Sequence, residues 1–380
     1  MGISRRSLLS GLAAGAVGGA AFRATSEFAV ANNLPAAASN SPTRTIFLSR
    51  NENAYGPSQK VLTAMQEALS GGNRYPRAEY GSLVNKIATF HQVRPEQIFL
   101  GCGSSEILCK AGAATLGPGK KFVQASPTYP VLGDFAQNIG TQVINIPLTK
   151  MYEHDLDSML AHCDSSTALV YICNPNNPTG TLTPRKDIES FIRKLPGKTL
   201  VIVDEAYHHF VAGTSGYTSF LDHPIDDDRV MVARTFSKIH GLAGMRIGYM
   251  VAPAASSPRF SMEPVRIGVS VVSAKAAAAA LDDFEYVAMA ARRNANNRQE
   301  FLNQVNARML RALDSHANFV MVNPLRPVTE VLEHLAKHDI IIAPRIPEMN
   351  KYLRVSLGTP AEMLEFWRVW DLMPLQKMAM

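Results

Sequence analysis

The most regular signal along the chain is a succession of short, continuous apolar runs separated by segments with helical spacing. The runs fall at 97–100, 121–124, 143–146, 168–173, 199–203, 230–233 and 247–251. Continuous rather than alternating apolar positions mark strands buried on both faces, and the helical segments between them supply the covering layers. This pattern predicts an α/β fold, a mostly parallel sheet sandwiched by helices. Beyond Ser273 the pattern changes. A long helical stretch opens at 274–281 and runs to about Leu313, strands follow at 318–322 and 352–357, and helices at 328–337 and 360–370. These predict a smaller α+β domain, with Trp367 and Trp370 three apart on one packing face of the last helix. The expected divisions are 32–45 as a flexible linker rich in Ala, Ser, Asn and Pro, 46–74 as an N-terminal arm, 75–273 as the large domain and 274–380 as the small one.

Residues 1–31 stand apart from this pattern. Arg5 and Arg6 precede a mild Gly/Ala/Leu run through Ala21, and Ala29-Val30-Ala31 offers small residues for cleavage, with Ala36-Ala37-Ala38 as the alternative. The order of charged, apolar and small regions is similar to a twin-arginine export signal, which implies a periplasmic or secreted protein. A glycine-interrupted run of this length is too short for a stable membrane span, which needs roughly 20 apolar residues. If the leader is not functional, the expected location is the cytoplasm.

Composition narrows the function classes. The 380 residues are 46% hydrophobic, as a packed protein requires, with a formal net charge of +6 that falls to +4 once residues 1–31 are removed. Without a lysine/arginine cluster or interleaved aromatics, that excess argues for an anionic small molecule rather than nucleic acid. Cys102, Cys109, Cys163 and Cys173 form no CxxC pair, so no zinc site is expected and buried free thiols are favoured over disulfides.

The chemistry concentrates where apolar runs end. Thr235-Phe236-Ser237-Lys238 is followed by a glycine-containing loop reaching Arg246. A lysine that forms a Schiff base must be held near a carbonyl carbon and be deprotonated for part of its cycle. Thr235 and Ser237 can donate hydroxyl hydrogen bonds to a phosphate, and Arg246 can take two of its oxygens. Pyridoxal phosphate needs all of these together. Gly101-Cys102-Gly103-Ser104-Ser105-Glu106 follows another run and offers free N–H groups and hydroxyls to the same phosphate. In Asn174-Pro175-Asn176-Asn177-Pro178-Thr179-Gly180 the prolines fix a turn and leave Asn177 able to donate its amide to a phenolate-like oxygen. Asp204 of Asp204-Glu205-Ala206-Tyr207 is a carboxylate at the end of a buried strand, suited to a protonated pyridine nitrogen, and Tyr207 can share the ring oxygen. Tyr129 of Ser126-Pro127-Thr128-Tyr129-Pro130 offers a flat surface to an aromatic ring. Each motif alone has a plainer reading, a glycine turn, a helix cap or a core tyrosine. Five in order, all following strands, are specific.

Together with NENAYG from Asn51, RYP from Arg74, NFVMV from Asn318 and YLRVSLGTP from Tyr352, these motifs resemble the fold-type I aminotransferases, most of all the histidinol-phosphate aminotransferase group. The resemblance covers nearly everything from Ile46 to Trp370. It implies that Lys238 binds the cofactor covalently and acts as general acid and base. Asp204 would pair with the pyridine nitrogen, Asn177 and Tyr207 would bind the ring oxygen, and Tyr129 would stack on the ring. Ser104, Ser105, Thr235, Ser237 and Arg246 would surround the phosphate. Tyr75 would reach the phosphate of a neighbouring subunit, making the active unit a homodimer. Arg354 would clamp the substrate carboxylate, with Asn53 and Tyr55 on an arm covering the site. The implied reaction moves an amino group between an amino acid, or an amino-alcohol phosphate, and a 2-oxo acid in ping-pong order. The segment 343–351 is shorter than the family's glycine-containing loop, so the substrate side chain stays open. The same electron sink also serves decarboxylation, racemisation and cyclisation. A non-catalytic exported binding protein would keep only the fold, and intact Lys238, Asp204 and Arg246 argue against it. His240 is expected to serve packing, and His208 and His209, adjacent in sequence, are expected to be helix positions facing different ways.

Overall fold

The computed structural model describes residues 45–211, 213–255 and 268–374. The leader, the linker up to residue 44 and any cleavage site therefore lie outside the described residues. The described residues all lie in one compact unit.

The strands are β1 (Ile46–Leu48), β2 (Ile98–Gly101), β3 (Lys121–Ser126), β4 (Gln142–Pro147), β5 (Thr167–Cys173), β6 (Leu200–Asp204), β7 (Val230–Thr235), β8 (Gly248–Val251), β9 (Arg311–Ala312), β10 (Phe319–Asn323), β11 (Ile340–Ile342) and β12 (Leu353–Ser356). Seven of them form the main sheet in the order β2-β8-β7-β6-β5-β3-β4. All neighbours pair in parallel except β8, which runs antiparallel to both β2 and β7. Because β8 is reversed against both, β2 points the same way as β7, β6, β5 and β3. The carboxyl ends of these strands therefore lie along one edge of the sheet, where ligands gather in open α/β folds.

The continuous apolar runs have the expected cause. On β5, Val170 and Ile172 join one core cluster while Leu169, Tyr171 and Cys173 join another, so both faces of the strand are covered. Burying each such side chain contributes about 1.5–3 kcal/mol. The covering helices of this region are α1 (Gln59–Ala68), α2 (Arg77–His91), α3 (Gly103–Thr115), α4 (Val131–Asn138), α5 (Leu156–Ala161) and α6 (Arg185–Lys194).

The long helix expected from residue 274 is two helices, α7 (Val271–Leu281) and α8 (Phe284–Ala307). Asp282 and Asp283 break it. The Asp283 side chain accepts from the Tyr286 N–H at 3.3 Å and caps α8, because a short carboxylate satisfies an orphan N–H better than it extends a helix. Past Ala307 the chain forms β9 rather than more helix. The antiparallel set β12-β10-β9 packs with α9 (Val328–Ala336) and α10 (Pro360–Asp371). Trp367 and Trp370 sit 5.6 Å apart in the core of this region, as a packing face. The arm also contains a strand the hydrophobic pattern did not reveal, β1, paired in parallel with β11. Three-residue strands are too short to show a period.

Candidate active site

Lys238 leaves the loop after β7, and its Nζ donates to the backbone oxygens of Arg50 at 3.0 Å and Asn51 at 3.1 Å. It also lies 5.7 Å from the centre of the Tyr207 ring. Burial lowers its pKa to about 8, and the nearby charges of Arg354 and Arg246 push the same way. The amine is thus closer to neutrality at physiological pH than an ordinary lysine, as a nucleophile requires.

Asp204, at the end of β6, is buried. It accepts from the Tyr171 hydroxyl at 2.8 Å and from the Ala206 N–H at 3.1 Å, and among the described residues it forms no ion pair. Burial raises its pKa to about 6 against those two hydrogen bonds. Its neighbour Glu205 has the opposite fate. Glu205 is tied to Arg234 at 2.8 Å, to the Ser219 hydroxyl at 2.7 Å and to the Phe220 N–H at 2.8 Å, a closed structural pair. Of the two acids, only Asp204 retains a demand for a positive partner.

The first turn of α3 meets Arg246. Gly103 adopts φ +78°, and a Cβ there would lie 2.4 Å from Arg246 Nη2, so only glycine lets the guanidinium pack against this helix start. The side chain of the cap residue Cys102 makes no cap bond and Glu106 accepts from the Cys102 N–H, so among the described residues the N–H groups that follow it in the first turn stay available to an anion. Ser105 shares a 2.8 Å hydrogen bond with the Tyr129 hydroxyl. Thr235 and Ser237 are buried nearby along the chain, with the Ser237 N–H donating to the Thr235 hydroxyl at 3.1 Å. Arg246, Gly103, Ser104 and Ser105 thus form one cradle.

Arg354, on β12, donates to Asn177 Oδ1 at 2.7 Å and to the Ser49 carbonyl at 2.9 Å. A guanidinium has no acceptor, so this contact assigns the oxygen of the Asn177 amide and leaves its NH2 as the free donor. Asn53 and Tyr55 are staples of the arm. Asn53 Nδ2 donates to the Ile239 carbonyl at 2.8 Å and to the Tyr286 hydroxyl at 3.1 Å. The Tyr55 hydroxyl accepts from Asn297 at 2.9 Å, with Arg293 4.1 Å over its ring. Tyr75 is 97% exposed on its own chain. A cleft of about 560 Å³ opens beside the arm, lined by Glu52, Asn53, Gly241, Gly244, Ser356 and Glu362 among others.

Several residues that complete the site escaped motif reading. Asn51 is buried at φ +53° and bonds Lys238, Tyr207 and Ser356. Tyr171 holds Asp204 from inside a strand where it reads as an ordinary core aromatic. Asn318 Nδ2 donates to the carbonyls of Asn51 and Glu52 at 3.0 and 3.1 Å. Asn51 and Asn318 begin the motifs NENAYG and NFVMV, which was the available signal. His208 and His209 lie on a 3-10 turn rather than an α-helix, with ring centres 4.8 Å apart. All four cysteines are free thiols, with only Cys173 fully buried.

A helix start with a guanidinium beside it, a buried acid that forms no ion pair among the described residues, an amide donor turned away from Arg354 and a lysine of lowered pKa fit one group, pyridoxal phosphate. This defines a pyridoxal-phosphate enzyme of the aminotransferase fold. Residues 43–368 match the family model of aminotransferase class I and II, and the chain belongs to that family. It is similar to histidinol-phosphate aminotransferase of Caldicellulosiruptor saccharolyticus, 34% identical over 85% of this chain and 90% of the relative. Histidinol-phosphate aminotransferase 2 of Carboxydothermus hydrogenoformans is 35% identical over 84% and 88%. The crystal structure of histidinol-phosphate aminotransferase from Sinorhizobium meliloti in complex with pyridoxal-5'-phosphate superposes with a TM-score of 0.80, at 29% identity, covering 86% of this chain and 92% of that one. The protein is a pyridoxal-phosphate-dependent aminotransferase, like the histidinol-phosphate enzymes.

Proposed function

We propose that this aminotransferase exchanges an amino group between an amino-alcohol phosphate or amino acid and a 2-oxo acid, with Lys238 as the covalent lysine and proton carrier. The observation that carries this reading is that Lys238 Nζ and Arg354 are held by one segment of the arm, Nζ on the carbonyls of Arg50 and Asn51 and the guanidinium on the Ser49 carbonyl and Asn177. Bound pyridoxal phosphate supplies an aldehyde to which amines add and a ring that withdraws electrons.

The chain supplies the rest. Arg246, Ser104, Ser105, Thr235 and Ser237, with the first N–H groups of α3, take the phosphate. Asp204, which forms no ion pair among the described residues, would pair with a protonated ring nitrogen. The free NH2 of Asn177 and the hydroxyl of Tyr207 donate to the ring oxygen, and Tyr129 offers its face to the ring. Arg354 binds the acidic group of the substrate in place of Asn177 Oδ1, which fixes the substrate α-carbon. Once the substrate amine has displaced it, Lys238 Nζ would remove the proton at that carbon and, as general acid, deliver it to the former aldehyde carbon of the cofactor. In the cofactor-free protein the carbonyls of Arg50 and Asn51 hold Nζ beside the Tyr207 ring.

An acidic group facing Arg354 is either a carboxylate or a phosphate, and the named relatives favour the phosphate of histidinol phosphate. Purified protein loaded with pyridoxal phosphate is mixed with histidinol phosphate, histidinol, histidine and glutamate in turn, and the cofactor absorbance is followed. We expect a shift with histidinol phosphate and with glutamate, and none with histidinol. Conversion by none of the four overturns the reading, and a response to the amino acids alone removes the amino-alcohol phosphate. We further propose that the active unit is a homodimer in which the exposed Tyr75 reaches the partner's phosphate cradle. The leader supports export to the periplasm, and fractionation of cells that finds the protein solely in the cytoplasm overturns that part.

A further inference from the structure

Asn51 stands where the arm, the lysine loop, the Tyr207 turn and the strands β10 and β12 meet. Its backbone N–H donates to Ser356 Oγ at 2.8 Å, and its Oδ1 accepts from the same hydroxyl at 3.1 Å. The Ser356 hydroxyl donates to Oδ1, and in this orientation the NH2 of Asn51 is the group turned to Tyr207. That NH2 donates to the Tyr207 oxygen at 3.0 Å. The backbone carbonyl of Asn51 meanwhile accepts from Lys238 Nζ at 3.1 Å and from Asn318 Nδ2 at 3.0 Å. All of this is buried, with Asn51 2%, Tyr207 2% and Ser356 3% exposed.

From this geometry we infer that Asn51 is a positioning residue that sets the direction of the Tyr207 hydroxyl proton. A phenol has one O–H to give. With the oxygen already accepting from Asn51, the proton has to be donated elsewhere, and the position the proposed function gives it is the ring oxygen of the cofactor. The inference rests on that reading of Tyr207. Ser356 contacts the amide from behind, two residues beyond Arg354 on β12, so the strand that carries the substrate-binding guanidinium also holds Asn51. The conformation restricts what can stand here, because φ +53° suits asparagine, aspartate and glycine and strains most others.

That restriction supplies the test. Asn51→Asp keeps the shape and the backbone, but its carboxylate only accepts, so the Tyr207 proton turns to it and away from the ring oxygen. Asn51→Gly keeps the backbone carbonyl for Lys238 and removes the amide. Both are compared with Tyr207→Phe and with the double variant Asn51→Asp/Tyr207→Phe, as cofactor-loaded full-length protein whose visible absorbance is titrated against pH. A proton donated to the ring oxygen favours its ionised form, so the wild-type midpoint is low. We expect Tyr207→Phe and Asn51→Asp each to raise the midpoint by about one pH unit, a tenfold change in the equilibrium. The double variant should show no further rise, and Asn51→Gly should fall between. Cofactor dissociation constants and thermal midpoints, measured alongside, separate these effects from simple loss of fold. A shift in Tyr207→Phe with none in Asn51→Asp, or fully additive shifts, overturns the role of Asn51. No shift in Tyr207→Phe overturns both this inference and the Tyr207 assignment beneath it.

Discussion

At the residue scale the site is built from side chains held in a state they would not choose in water. Asp204 is the clearest case. Its pKa is raised to about 6, so the folded protein holds its proton more tightly than water does. The sign follows directly: its contribution to stability is fully present below about pH 4 and is lost as pH rises through 6. A shift of about two units corresponds to about 3 kcal/mol, a cost the cofactor-free protein carries at neutral pH and a cationic ring nitrogen offsets. In Asp204→Asn the amide carries no charge, and the Tyr171 hydroxyl can reverse to accept from it. We therefore expect cofactor-free Asp204→Asn to melt higher than wild type at pH 8, to match it near pH 4, and to bind pyridoxal phosphate at least tenfold more weakly. Calorimetry of both forms across that range checks this, and a wild type that is the more stable at pH 8 contradicts it.

At the element scale the start of α3 is the critical part. Its first residue is a glycine with positive φ, and the missing side chain is the space Arg246 occupies. Gly103→Ala forces a left-handed alanine, at about 1–3 kcal/mol, and displaces the guanidinium. The expected outcome is a loss of phosphate and cofactor affinity larger than the loss of stability, read by equilibrium dialysis against pyridoxal phosphate and by thermal melting. Equal affinity with a lowered melting point shows that Arg246 is not part of the cradle. The break between α7 and α8 also matters here. It frees the start of α8 to face the arm, where Tyr286, Arg293 and Asn297 hold Asn53 and Tyr55. One continuous helix would carry a different face past the arm.

At the scale of the whole molecule, two properties belong to no single element. Beneath the lysine loop His91, His208, His209 and His240 gather around the buried Arg234–Glu205 pair. Burial and the Arg234 charge hold His91 at about 3 and His240 at about 4. Depressed pKa values of this kind give stability that is present above pH 6.5 and lost as pH falls towards 4, because the unfolded chain takes protons that the native chain refuses. His240 packs between Phe236 and His209, and its buried Nδ1 has no hydrogen-bond partner among the described residues. His240→Phe should leave the melting point at pH 7.5 unchanged or higher and should reduce the acid loss between pH 6.5 and 4 by up to about 3 kcal/mol. A melting curve as acid-sensitive as wild type contradicts this. The second property is assembly. Chains carrying Tyr75→Ala and chains carrying Lys238→Ala should each be weak alone. Their mixture should regain activity, because one of its two sites combines an intact lysine with an intact partner tyrosine. No recovery on mixing would mean that Tyr75 works within its own chain.

The strand-end chemistry was legible in the chain because it is local. Lys238, Asp204, Asn177 and Ser105 each follow a buried apolar run within a few residues, and a parallel sheet delivers such ends to one edge. The family motifs added Tyr75 and Arg354 on the same local basis. What only the tertiary structure decided is the pairing of distant groups. The sequence could not show that Asn51 bonds Tyr207 and Lys238, 156 and 187 residues away. Nor could it show that the oxygen of Asn177 is taken by Arg354, or that Glu205 is spent on Arg234 while Asp204 is left wanting a cation. Hydrogen-bond direction depends on which partner arrives from elsewhere in the fold. Residue type settled which chemistry was available, and three-dimensional contact settled which atom of each group remains free to perform it.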